Sequence, residues 1–171
     1  MSTWTLPEGL EPVSRGPEAP APGTELSYGW PRRFANPAPD GNMWGLCLYA
    51  GDGVAVTGRF EVLPELEGGP GVIHGGVMAG IFDELQGMAG TVTQLPAVTA
   101  HLEVDYRRPI PIGSTVELAC AVEGKLGRKL YTTATATIDG EAVASSRGIF
   151  VVIDPDRHYG AGASRQLGIS P

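Results

Sequence analysis

The stretch Gly71-Val72-Ile73-His74-Gly75-Gly76-Val77-Met78-Ala79-Gly80-Ile81-Phe82-Asp83-Glu84 decides how this chain is read. It joins a glycine-rich loop to an amphipathic segment that carries an acid about two turns in. The first N–H groups of a helix lack intrahelical acceptors and sit at the positive end of its dipole, so they favour a negative oxygen. An acid farther along the same helix is a candidate catalyst. Asp83 and Gly76 share one helix face but stand roughly 10 Å apart along the axis. One carbonyl therefore cannot meet both within a single helix.

The spacing predicts one long helix over residues 75–95, with Met78, Ile81, Phe82, Leu85, Met88, Ala89 and Val92 as its apolar stripe. The opposite face carries Gly76, Ala79, Gly80, Asp83, Gly87 and Gly90. Positions 76, 80, 83, 87 and 90 form a seam of period about 3.5. Each glycine inside a helix costs roughly 0.5–1 kcal/mol against alanine, so several on one face imply close approach of a backbone or ligand. Two copies packed antiparallel along this seam would bring the helix start of one chain to the acid of the other. The pattern predicts a homodimer with two shared sites.

Strands are expected on both sides of the helix. Residues 43–49 and 54–62, split by Gly51-Asp52-Gly53, read as a hairpin. Residues 64–73 read as a loop. Alternation then marks Val98 to Tyr106, Val116 to Val122, residues 130–138 and residues 142–153 as four strands, with turns at 124–128 and Asp139-Gly140. One helix beside six strands suggests an α+β fold in which an antiparallel sheet curls around the helix. Residues 1–40 hold eight of the 15 prolines and read as an extended arm, either mobile or draped over the body. Trp4, Trp30 and Phe34 are its candidate anchors. Residues 41–154 form the expected domain, and residues 155–171 a loose tail.

Composition narrows the function. A chain of 171 residues with net charge −7 is one domain and a poor candidate for non-specific nucleic-acid binding. Cys47 and Cys120 lie in alternating apolar patterns without metal-ligand spacing, and read as reduced core residues. There is no apolar run of the ~18 residues a membrane span needs, and the first residues lack a signal-peptide pattern. These features point to a cytoplasmic protein. No metal and no separate cofactor are expected. His74, His101 and His158 are scattered, Ser145-Ser146 lacks a Gly-x-Ser-x-Gly elbow, and no phosphate-loop lysine follows the glycines.

Backbone N–H groups that stabilise an oxyanion, together with a carboxylate that attacks or activates water, suit acyl transfer from a good leaving group such as a thiolate. His74, just before the helix, would orient the loop or cap local backbone groups.

These residues resemble the hotdog-fold acyl-CoA thioesterases of the PaaI type: His74-Gly75-Gly76 with an acid nine residues after the histidine. Residues 67–76, the run Val98-Thr99-Ala100-His101-Leu102-Glu103-Val104-Asp105-Tyr106-Arg107-Arg108-Pro109-Ile110-Pro111 and Gly127-Arg128-Lys129 are similar to the subgroup that includes thioesterase superfamily member four. The resemblance spans residues 43–153. It implies Asp83 as general base or nucleophile, and the N–H groups of Gly76 and Gly75 as the carbonyl's partners. It also implies a Thr99 hydroxyl that assists the attacking water, and dimers with active sites between protomers. Glu84 is left as a surface acid. Many members carry Asn six residues before the histidine, where this chain has Gly68.

The substrate implied is an acyl-CoA, with CoA as its leaving group. Arg107, Arg108, Lys125, Arg128 and Lys129 form the expected basic cluster for the charged nucleotide end. Two other readings stand beside hydrolysis of acyl-CoA. One is the same chemistry on a carrier-protein-bound acyl group, and the other is acyl-CoA binding without turnover. The Gly-Asp-x-Asn-Pro loop of enoyl hydratases is absent. Tetramers built from the dimers are compatible with the pattern.

Overall fold

The computed structural model describes residues 5–26 and 44–166. The proposed anchors Trp4, Trp30 and Phe34 lie outside these residues.

Six strands form one antiparallel sheet: β1 (Cys47–Ala50), β2 (Val56–Glu61), β5 (Ala97–Tyr106), β6 (Thr115–Leu126), β7 (Lys129–Ile138) and β8 (Glu141–Val152). Their spatial order is β1-β2-β6-β7-β8-β5. The sheet covers α1 (Gly75–Gly87). Period-2 alternation turns Val116, Leu118, Cys120, Ala134, Ala136, Ala144 and Phe150 inward, against Met78, Ile81, Phe82 and Leu85 of the helix. All four of those helix residues are fully buried. The expected sheet wrapped around a helix is the observed architecture.

The helix differs from the expectation of one continuous run. It ends at Gly87, passes through Met88 and resumes as α2 (Ala89–Thr93). Gln94 then takes a left-handed conformation (φ 56°), and Pro96 cannot extend a helix. Glycines at 87 and 90 weaken the helix locally, so tertiary packing of Met88, Ala89 and Val92 sets its path.

The segment 64–73 is more ordered than the expected loop. A 3₁₀ turn over Pro64–Leu66 buries Leu66, and a two-stranded ribbon follows, β3 (Glu67–Gly69) with β4 (Val72–Ile73). The described residues after Asp154, 155–166, are also not loose. Asp154 accepts from the N–H groups of Asp156 and Arg157, and Pro155 fills the first turn of α3 (Pro155–Tyr159). Asp156 in turn accepts from the Ser164 N–H and hydroxyl in α4 (Ala163–Gln166). Those two bonds draw the Asp156 carboxyl below its usual range.

The described part of the arm is draped over the body. Glu11 and Lys125 exchange both backbone hydrogen bonds, and the Gly16 N–H donates to Val92 O. Arg15 donates to the carbonyls of Gly51, Gly53 and Pro20, tying the arm to the β1–β2 turn. Residues 23–26 then line the outer edge of β1 through Gly23 N–H to Ala50 O, Ala50 N–H to Thr24 O and Leu26 N–H to Leu48 O. One sheet edge is thus covered by the chain itself. At the other edge is β5, ten residues long.

Cys120 is buried as expected, and burial, with the Glu123 charge added, pushes its thiol up to about 12. Cys47 departs from expectation: it is only half-buried. Both cysteines are unpaired thiols.

Candidate active site

His74 caps α1. Its Nδ1 accepts the Gly76 N–H at 2.9 Å. The Gly75 carbonyl, on the same peptide unit, accepts from the Tyr106 hydroxyl at 2.6 Å. The 75–76 peptide is therefore held at both ends, by His74 and by the last residue of β5. Burial raises the Tyr106 phenol above its ordinary pKa and keeps it a donor. Of the two expected oxyanion donors, the Gly76 N–H is thus engaged by the histidine beside it. Among the described residues the Gly75 N–H has no acceptor.

A histidine cap has a measurable consequence. His74→Ala should lower stability by about 1 kcal/mol, and His74→Asn should retain most of it, because asparagine also caps through a side-chain acceptor. Thermal unfolding of the three chains tests this.

Asp83 lies two turns farther along α1, half-exposed. Thr99 of β5 donates its hydroxyl to Asp83 Oδ1 at 2.7 Å. A register shift between Thr99 and His101 in the β5–β8 pairing gives this part of the edge strand an extra residue, Ala100. Thr99 pairs with Phe150, whose side chain points inward, so Thr99 shares the face that looks at the helix. Residue type alone did not distinguish Thr99 from an ordinary strand threonine.

The glycine seam is partly filled by the chain itself. A Cβ on Gly80 would stand 2.6 Å from the Trp44 indole, and one on Gly90 would stand 3.0 Å from the Leu95 carbonyl. The close approach inferred at Gly80 is thus made by Trp44 of the same chain. Gly75 and Gly76 are exposed, and the nearest groups to an added Cβ there are Tyr106 and His74.

Gly68 is explained by packing. A Cβ on it would lie 2.4 Å from His74 Cα, a backbone atom, so the ribbon leaves no room for a side chain. Gly68→Asn should cost about 1–3 kcal/mol and disturb the His74 cap. Chemical denaturation, with the His74 imidazole followed by NMR, checks both.

The expected basic cluster is not one patch. Arg107 and Arg108 both donate their backbone N–H to Val143 O, near the start of β8, and Arg108 pairs with Glu141 at 2.8 Å. Arg128 accepts from the Val152 N–H and Lys129 is in register with Val151, at the far end of β8. Lys125, on the same hairpin, pairs with Glu11 at 3.4 Å. Antiparallel order carries the two groups to opposite ends of the sheet. Among the described residues no three His, Cys, Asp or Glu gather into a metal-binding group.

Residues 70–144 match the model of the thioesterase superfamily. Over that stretch the hotdog domain is similar to that superfamily. The chain is 32% identical over 100 residues to acyl-coenzyme A thioesterase THEM4 of Bos taurus, a match that takes in 57% of this chain and 41% of that protein. The hotdog chain therefore spans about two fifths of that relative's length. A solved thioesterase superfamily protein is 30% identical, with TM-score 0.59, over 62% of this chain and 53% of its own. The Escherichia coli PaaI protein of the phenylacetic acid degradation operon shares the fold at 20% identity, with TM-score 0.62, over 66% of this chain and 82% of its own.

Proposed function

We propose that this hotdog chain hydrolyses acyl-CoA thioesters to the free acid and CoA. The observation that carries this reading is the Thr99 hydroxyl on Asp83 Oδ1, which holds a half-exposed carboxylate on the central helix of a domain similar to the thioesterase superfamily. The name of the bovine relative, an acyl-coenzyme A thioesterase, supports the substrate class.

In the simplest course Asp83 takes a proton from water and the oxygen adds to the thioester carbonyl. The tetrahedral intermediate then collapses, the C–S bond breaks, and the leaving thiolate takes the proton back. Direct attack by Asp83 through an acyl-enzyme anhydride is the alternative course. Thr99 orients the carboxylate. The developing oxyanion is assigned to the N–H groups of Gly75 and Gly76. A negative oxygen is a stronger acceptor than an imidazole nitrogen, so it competes with His74 Nδ1 for the Gly76 N–H as charge builds. His74 and Tyr106 act as positioning residues for that peptide.

Gly76 and Asp83 of one helix are too far apart for one carbonyl, so the proposal includes a homodimer with two sites, each built from both chains. The β5 edge is the proposed seam, because the opposite edge already carries residues 23–26. Pairs of dimers would form the tetramer. The unpaired thiols of Cys47 and Cys120 favour a cytoplasmic setting. Among the described residues no helix is long and apolar enough to cross a membrane.

A panel of acyl-CoAs of varied length and aromaticity, each also presented on acyl carrier protein, tests the reading. Release of free thiol from the CoA series is expected. Faster turnover on the carrier protein would move the substrate class, and binding without any thiol release would refute hydrolysis.

A further inference from the structure

Sorting the expected basic cluster by what its side chains touch leaves Arg128 and Lys129 apart, and of these two only Arg128 lines the cavity beside α3. Arg108 and Lys125 are in ion pairs, and Arg107 reaches Ser145. Among the described residues Arg128 has no ion-pair partner, and it opens into a cavity of about 730 Å³ lined by Val152, Ile153, Asp154, Arg157 and His158. The last two side chains come from α3. That helix lies outside the stretch matched by the superfamily model.

The cavity is suited to an anion. Two guanidiniums and an imidazole face one carboxylate, Asp154, whose Oδ1 is turned to the first N–H groups of α3. Guanidinium groups bind phosphate oxygens in two-pronged fashion. The walls from Val152 and Ile153 add an apolar surface for a flat ring. Val152, in the cavity wall, pairs with Ala97, two residues before Thr99 on β5.

We propose that this cavity binds the phosphorylated adenosine end of the CoA leaving group, through Arg128, Arg157 and His158. The inference rests on the acyl-CoA reading above and narrows it. It gives α3 a function, and it assigns the nucleotide to Arg128 rather than to Arg107 or Arg108 at the other end of the sheet.

The test uses adenosine 3′,5′-bisphosphate, the free nucleotide end, titrated calorimetrically into the wild-type chain, the Arg128→Gln/Arg157→Gln variant and the Arg107→Gln/Arg108→Gln variant. Alongside it, kcat/KM is measured for one acyl group on CoA and on N-acetylcysteamine, which lacks the nucleotide. Loss of two charge-assisted contacts should weaken bisphosphate binding about tenfold or more in the first variant only. The preference for CoA over N-acetylcysteamine should shrink by a similar factor. Bisphosphate binding that is unchanged in the first variant, or weakened equally in the second, would overturn the proposal. Arg128- and Arg157-dependent binding by a chain that hydrolyses neither thioester would uphold the cavity and defeat the hydrolase reading.

Discussion

Asp83→Asn is expected to keep the fold and to lower thioester hydrolysis by about 10²–10⁴-fold, the usual weight of a general base. The substitution changes charge and basicity but little shape. Asparagine retains a carbonyl oxygen that can accept from the Thr99 hydroxyl, so the link between α1 and β5 survives. The side chain is half-exposed, and its neighbours Met78, Ile81, Phe82 and Leu85 carry the packing. Unfolding temperature should therefore move little while kcat collapses. Steady-state rates under saturating acyl-CoA, with thermal unfolding on the same samples, separate the two effects. A variant that turns over near the wild-type rate would remove Asp83 from the chemistry.

The largest effect on stability is expected from Gln86, one turn beyond Asp83 and 1% exposed. Its amide donates to Ser146 Oγ at 2.9 Å and to Phe82 O at 3.1 Å. Its carbonyl accepts from the Thr132 hydroxyl at 2.7 Å. Thr132 and Ser146 are also buried, on β7 and β8, so this one side chain joins the helix to two strands. Gln86→Leu leaves both hydroxyls without Gln86 in a dry interior. The Thr132 hydroxyl keeps a longer bond to Gly148 O at 3.3 Å, so at about 1–3 kcal/mol for a fully unsatisfied buried group the loss should be about 2–4 kcal/mol. That corresponds to a fall in Tm of roughly 5–15 °C for a domain of this size. The triple variant Gln86→Leu/Thr132→Val/Ser146→Ala removes the stranded partners and should recover much of the loss. Triple and single variants of equal stability would show that the cost was in packing, not in polar satisfaction.

The parts of the fold that were legible in the sequence are those set by periodicity. Val116, Leu118 and Cys120 alternate because one face of β6 is buried, and Met78, Ile81, Phe82 and Leu85 repeat because α1 has one buried stripe. Helix geometry alone also separated Gly76 from Asp83. What escaped was set by tertiary contact. Gly80 is small because Trp44, far away in sequence, lies on it. Thr99 reaches Asp83 because of a register shift that no local pattern announced. Gly68 replaces the asparagine of many PaaI-type members because its Cα faces His74 backbone across a short ribbon. Arg107 and Arg128 are both strand-end cations, and only the antiparallel order shows that they sit at opposite ends. Asp154-Pro155 is different: a capping residue before proline is a local helix-start signal, and it was outweighed by the glycines and serines after it.

The account's central claim is that two chains complete each site. It is tested most directly by complementation between Asp83→Asn and Gly76→Val, a substitution that crowds the His74 ring at the helix start. Each variant alone should be nearly inactive. Co-expressed in equal amounts, half of the dimers are mixed, and each mixed dimer pairs one intact helix start with one intact acid. About a quarter of wild-type acyl-CoA hydrolysis should return. A mixture no more active than either variant would contradict a shared site.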